Sequence, residues 1–428
     1  MKKIRVIGAG ISGSEVCYQL LKRDYLVELF EIKSIKKNPI QTNDLFANLA
    51  YSDSFHSNEI TTAKGTLKQE MRLLDSLIIK AADYTSVANE PLLVDRNKFQ
   101  EYITNYLKSQ GNLKIIEKEY IEIDDSIPTI ITTGPLSSPA LEKEIKRLVG
   151  ESNFNYFDQV QPIILKSTIN WDYVQKSNND DKLFYCLLNK AEFEHLYSLI
   201  INAEIFISPL PNEIKLVHNY GFRSIETVAH KGKNELKNLL SADELIENND
   251  FYAVISLKQD EYNKNLLRIV NFQTSIKIPW QNEIIKSIPA LKNSSILRYG
   301  VMHKNDYINS ANVLDDDFKL KSNPNIFFAG QLTGTDGYVE ASASAIICAI
   351  NVDRYLRNLP EAIPNNKTVI GSLCNYVLRA NKTDFQPMEA NWGLVEGINL
   401  VPYDKEGKKK LSDRAISEIK DFIKQNLW

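Results

Sequence analysis

Three glycines at Gly8, Gly10 and Gly13, with an acid further on at Glu31, form a set that can hold a phosphate-bearing ligand. Gly8 permits a tight turn. Gly10 leaves bare backbone for a pyrophosphate to approach, and Gly13 lets a helix pack closely on the preceding strand. Ala9, Ile11 and Ser12 complete the turn, and the N–H groups at the start of the helix face the anion. Glu31 stands where a carboxylate would accept hydrogen bonds from a ribose. A second glycine turn lies near the other end of the chain, Gly330-Gln331-Leu-Thr-Gly334-Thr-Asp-Gly337. Tyr338, Val339 and Glu340 then open a helix rich in Ala and Ser. In a flavin, the positive end of such a helix favours negative charge at the N1/C2=O edge of the reduced ring. Two turns therefore suit FAD better than a nicotinamide dinucleotide alone. A packing turn is the plainer alternative for the second.

These residues need strands and helices to place them. Ile4 to Ile7 is a β-branched run that ends at Gly8, and Val16, Leu20 and Leu21 follow at helical spacing. Leu26 to Glu31 reads as the second strand, and Asn325 to Gly330 as a late one before a helix from Tyr338 to about Arg357. Thr66 to Tyr84 reads as one helix. Leu92 opens another that runs to about Leu107, with Asp95 near its cap. Lys114-Ile-Ile, Tyr120-Ile-Glu-Ile and Pro128 to Thr133 read as strands. From about Ser138 to Ala290 the nucleotide-site grammar disappears, and helices such as Ala140–Leu148 and Glu192–Ile201 alternate with short strands. The expected class is α/β: a Rossmann-type FAD-binding domain with a large inserted α+β domain. Its expected parts are 1–137, an insert at 138–290, and 291–428 with a C-terminal helix from Leu411 to Leu427.

The totals narrow the class. A net charge of -3 argues against a surface that coats nucleic acid, so any RNA contact must use local patches. The basic run Lys408-Lys-Lys410 reads first as a solvated face, as do the lysines of Lys33-Ser-Ile-Lys-Lys37. Cys17, Cys186, Cys348 and Cys374 show neither disulfide nor metal spacing, which favours a reducing compartment. The first residues enter a core strand at once, leaving no room for a signal peptide, and no apolar run would span a membrane. The expected location is cytoplasmic, with no membrane partner, as a monomer or homodimer.

The chain resembles the TrmFO family, folate- and FAD-dependent tRNA uracil-5-methyltransferases, from end to end. The resemblance is carried by Gly8-Ala-Gly-Ile-Ser-Gly-Ser-Glu15, Leu67-Lys-Gln-Glu-Met-Arg-Leu-Leu74, Val94-Asp-Arg96 and Thr133-Gly-Pro-Leu-Ser-Ser-Pro-Ala140. Arg298-Tyr-Gly-Val-Met-His303, Phe328-Ala-Gly-Gln-Leu-Thr-Gly334, Gly337-Tyr-Val-Glu340 and Asp384-Phe-Gln-Pro-Met388 are specific to that group. The resemblance adds Arg96, Thr133, Gly134 and His303 to the expected cofactor-binding residues. It implies that methylenetetrahydrofolate supplies one carbon, that the flavin carries and reduces it, and that NADPH or NADH restores the flavin. The acceptor it implies is C5 of a uracil in RNA, either tRNA or 23S rRNA, activated by a cysteine that adds at C6.

The chain departs from the family at that cysteine. Tyr51, in Tyr51-Ser52-Asp53-Ser54, stands where the family has one thiol. Phe222, in Gly221-Phe222-Arg223-Ser224-Ile225-Glu226, stands where it has the nucleophile. Cys186 is the remaining candidate for a replacement thiol, with buried packing as the alternative. His303 reads as a flavin or folate contact, and Tyr338 as a ring that could stack on either. Glu340 reads as a cofactor contact, with a cap-region acid as the alternative. A folate/FAD oxidoreductase or a flavin-binding paralogue without RNA methylation is the alternative function.

Overall fold

The computed structural model describes residues 2–37, 41, 43–49, 52–207, 224–242, 245, 251–383 and 385–426. The chain forms two units, Met1–Tyr156 with Asn305–Trp428, and Phe157–Lys304. The inserted unit thus starts and ends later than the expected 138–290. The helix Pro139–Val149 belongs to the first unit, where Glu144 accepts a hydrogen bond from the Ile123 N–H at 3.2 Å. Strand Ile296–Arg298 pairs with Ile163–Leu165, which carries the return segment into the second unit.

The first unit is built on a six-stranded sheet. Across it run Lys319–Leu320, Asn323–Phe328, Thr129–Ile131, Lys3–Ile7, Leu26–Glu31 and Leu113–Glu117. All neighbours pair parallel except the first two, which are antiparallel. Ile4, Val6, Leu29, Ile130, Ile131, Phe327 and Phe328 are buried, as strands covered on both faces require. The register brings Ile7 beside both Phe30 and Ile131, and Phe328 beside Ile131. The carboxyl ends of four strands therefore meet along one edge. There the chain order reverses around Lys3–Ile7, where open α/β sheets bind their ligands.

Two helices start at that edge. The first, Ile11–Leu21, is buried at every residue. The late one, Tyr338–Leu356, packs against it and is buried from Val339 to Asp353. Small residues make the contact possible: Ser12 Oγ donates to the Ala341 carbonyl at 3.3 Å. A Cβ on Gly13 would stand 1.8 Å from the Gly8 carbonyl oxygen, and one on Gly330 would stand 2.0 Å from Ser12 Oγ.

Three local expectations change. The single helix read over Thr66–Tyr84 is two, Ala63–Leu73 and Leu77–Tyr84. Asp75 breaks it at φ 62°, and Ser76 caps the second helix by accepting from the Ile79 N–H. Tyr120 to Ile123 forms no strand, and the Lys408–Lys410 run lies inside the final helix, Lys405–Asn426. Leu92–Val94 is a short strand, and Asp95 caps the helix Arg96–Lys108 through the Lys98 N–H at 3.1 Å.

The second unit is α+β. Its six strands pair antiparallel in the order Ile296–Arg298, Ile163–Leu165, Leu266–Ile269, Ala253–Gln259, Leu183–Leu188 and Val174–Lys176. Helices Lys190–Asn202, Ile225–Lys231 and Ile278–Ser287 contribute Phe193, Ile225 and Ile284 to the core over this sheet.

Gly13 and Gly111 separate packing from mere conformation. Gly13→Val drives a side chain into backbone and should cost at least about 3 kcal/mol of stability. Gly111→Ala, with nothing within 4 Å of the new carbon, should leave the unfolding midpoint in place. Equal midpoints for both variants in a denaturant titration would contradict this account.

Candidate functional site

A cleft of about 1160 Å³, counted to its open mouth, lies along the carboxyl edge of the first unit's sheet. Gly8, Gly10, Ile11 and Ser12 form its floor, Phe30 to Lys33 one wall, and Thr132 to Pro135 another. Gln331, Tyr338 and Ala341 close one end, while Lys118, Glu119 and Tyr120 line it elsewhere.

The glycine turn fits a pyrophosphate. Gly8 has φ 97° and Gly10 caps the first helix in an extended conformation. A Cβ built on Gly10 meets nothing within 4 Å, so the space above it is cleft. No side chain caps this helix, and its first turn holds no acid. Its leading N–H groups therefore remain available for an anion. Glu31 is 8% exposed and anchored at both oxygens: Oε2 accepts from the Ala9 N–H at 2.6 Å, and Oε1 from the Lys33 N–H at 2.9 Å. Anchored so, it presents its remaining lone pairs to the cleft wall that it lines. These features suit the pyrophosphate and ribose of a dinucleotide such as FAD.

The second glycine turn is brought to the same place. Gly330 has φ 80°, and its N–H donates to Ser344 Oγ at 3.1 Å inside the late helix. Gly337, at φ 114°, caps that helix. The Phe385–Asn391 stretch braces the turn, with the Asp336 N–H donating to the Met388 carbonyl at 2.9 Å and Met388 N–H to the Gly334 carbonyl at 2.8 Å. Tyr338 and Gln331 line the cleft, and Thr133 and Gly134 line it from the opposite wall.

Other expected site residues fall elsewhere. Arg96 does not line the cleft; its Nε pairs with Asp53 Oδ1 at 2.5 Å. Val339 is core, and Glu340 is fully buried behind the cleft wall. Gly13 acts by packing. His303 lies in the strand Val301–Ile308, and its side chain falls outside the described residues, as do Tyr51 and Phe222 altogether. Cys186 sits mid-strand in the second unit's core at 0% exposure, and burial pushes its thiol up to about 12. That geometry supports packing, since attack needs an exposed thiolate.

Sequence reasoning missed Lys33 and the aromatic wall. Lys33, read as a solvated loop residue, is 2% exposed and donates from Nζ to the Leu45 carbonyl at 2.6 Å. Burial holds its ammonium below the usual lysine range, against the opposing pull of Glu31. Phe30 and Tyr120 meet edge to face at 4.6 Å, and the Arg5 guanidinium lies 5.0 Å from the Tyr120 ring centre. Phe30 faces the cleft from a strand end, a position the alternation of that strand could have flagged.

Fold and cleft together define a dinucleotide-binding protein of the doubly wound type. Sequence comparison then narrows the class. The profile of the family described as glucose inhibited division protein A matches residues 3–360. A protein of Mycoplasmopsis agalactiae named methylenetetrahydrofolate–tRNA-(uracil-5-)-methyltransferase TrmFO is 82% identical over 427 residues, covering 100% of both chains. Similarly named proteins of Mycoplasma mycoides subsp. mycoides SC and Bacillus cereus strain G9842 are 50% and 38% identical, each covering at least 98% of both chains. Aquifex aeolicus GidA shares the fold, with a TM-score of 0.51 at 15% identity over 98% of this chain and 73% of that one. The chain belongs to the glucose inhibited division protein A family and, within it, to the TrmFO proteins. No helix among the described residues is long and apolar enough to cross a membrane.

All four thiols, Cys17, Cys186, Cys348 and Cys374, are buried and unpaired. A thiol reagent should label none of them in the native protein and all four after denaturation. Cys186→Ala should cost on the order of 1 kcal/mol through lost packing and leave ligand binding unchanged. Rapid native labelling at Cys186 would restore it as a candidate nucleophile.

Proposed function

We propose that this protein methylates C5 of a uridine in RNA, with methylenetetrahydrofolate as carbon donor, FAD in the cleft, and NADPH or NADH as reductant. The observation that carries the reading is the 82% identity, over the whole chain, to a protein named for that reaction. The cleft supports it by offering a glycine turn, an uncapped helix start and an anchored carboxylate. A tRNA is the first expected acceptor, because the relatives are named for tRNA.

The chain's own groups would act as follows. Gly8 to Gly13 hold the pyrophosphate on backbone N–H groups, and Glu31 holds the adenosine ribose. Tyr338, whose hydroxyl lies 3.4 Å from the Ser52 N–H, closes the ring end of the cleft. The Asp53–Arg96 pair and the Val94 N–H to Asp53 carbonyl bond, 3.1 Å, hold that segment against the hairpin Ser86–Val94. When bound and reduced by the nicotinamide, the flavin would supply the hydride that completes the methyl group and would return to its oxidised form. Tyr51 and Phe222 stand at the family's cysteine positions and all four thiols are buried, which supports a reading in which a group other than these thiols adds at C6.

Purified protein should be yellow and should transfer label from labelled methylenetetrahydrofolate to tRNA. Label in 23S rRNA instead would move the acceptor. Flavin oxidation by the folate with no labelled RNA would replace methylation by the oxidoreductase reading. Glu31→Ala should weaken FAD by roughly 1.5–3 kcal/mol per lost charge-assisted bond, read by fluorescence titration of the apoprotein. Unchanged affinity would leave Glu31 as a loop anchor only.

A further inference from the structure

The first turn of the late helix has two sides. Tyr338 and Ala341 line the cleft, while Glu340 turns away into the interior at 0% exposure. Glu340 Oε1 accepts from the Ala390 N–H at 3.2 Å and lies 3.9 Å from Lys64 Nζ. Its Oε2 is buried without a hydrogen-bond partner among the described residues. That oxygen sits over the helix cap, 2.4 Å from where a Cβ on Gly337 would stand. Lys64 also pairs with Glu389. A second ammonium, Lys68, is fully buried and donates to the Phe55 carbonyl at 2.9 Å. Two ammoniums and two carboxylates thus meet beneath the one helix start that faces the far end of the cleft.

A helix start carries a partial positive charge, which a nearby carboxylate offsets and a nearby ammonium reinforces. In a dry interior these opposed terms are screened little. We propose that Glu340 and Lys64, opposed in sign behind the late helix, set how strongly a bound flavin prefers its reduced form. This rests on the FAD reading above. Glu340 does not touch the cleft, so it acts through the helix start and is a positioning residue. Burial raises the Glu340 carboxyl and Lys64 opposes that rise; burial lowers Lys68 to about 8, with Glu340 opposing. Within the cluster, Lys64 and Glu340 each favour the other's charged form against burial.

The test is the sign of two shifts. The FAD-loaded protein is titrated spectroelectrochemically as parent, Glu340→Gln, Lys64→Met and Glu389→Gln. Glu340→Gln should favour the reduced flavin by about tenfold, a potential about 30 mV higher for a two-electron couple. Lys64→Met should move it in the opposite direction. Glu389→Gln, at the partly exposed edge of the cluster, should shift it as Glu340→Gln does but less, and carries the test with Lys64→Met if Glu340→Gln does not fold. Shifts of the same sign for Glu340→Gln and Lys64→Met would mark general loosening and overturn the proposal. Potentials unchanged within twofold would overturn it as well, with the FAD reading intact. A parent protein that takes up no FAD would overturn both.

Discussion

Three distant stretches of this chain touch where a glycine contributes no side chain of its own, and the cleft depends on these contacts. Gly13 lies against the Gly8 carbonyl, Gly330 against Ser12, and Gly8 against Thr133. Each contact is closer than a Cβ would allow or at the limit of what one would. The small residues of the late helix, Ala341, Ser342 and Ala343 among them, extend the same condition along its length. Close packing of glycine backbone against small residues is what lets two helices start side by side at one sheet edge. An ordinary side chain at any of these points would part them and open the turn.

The interior shows how the chain treats helix starts elsewhere. Glu15 accepts from the Ile78 N–H at 3.0 Å at the start of Leu77–Tyr84. Glu70 takes the N–H groups of Val369 and Ile370 at 2.8 and 2.7 Å, at the start of Val369–Arg379. Both acids are fully buried, and burial pushes Glu70 up to about 8. At these two interior starts, a carboxyl group from another element satisfies the leading N–H groups. The first helix, which starts at the cleft, receives none. That leaves open, for a ligand phosphate, the place that an acid fills at the other two.

The phosphate turn was legible in the sequence because its rule is local: a strand, three glycines and a helix, all adjacent. Glu31 was legible for the same reason. What the sequence could not reveal depends on the chain returning from far away. Lys64 meets Glu389, Lys33 is folded inward onto Leu45, and Arg96 is taken up by Asp53. Charge alone would read Lys64 and Lys33 as solvated, and the resemblance reads Arg96 as a cofactor contact. Glu340 was assigned to the right turn but to its wrong side, because helical spacing fixes a residue's angle only once the neighbours are known. The insert boundaries shifted because Pro139–Val149 has ordinary amphipathic spacing and could pack on either unit.

The interrupted wiring of the first unit sets a timetable for its birth on the ribosome. Lys3–Ile7, Leu26–Glu31, Leu113–Glu117 and Thr129–Ile131 emerge early and can begin to align. The edge of Thr129–Ile131 that pairs with Asn323–Phe328 then waits unpaired while the whole of Phe157–Lys304 is synthesised. The second unit, being continuous, can fold during that wait. Until the late strand and helix arrive, the first helix lacks the neighbour that buries it. A nascent chain therefore carries a phosphate turn long before it has a cleft, and loading of a dinucleotide belongs to the last stage of synthesis.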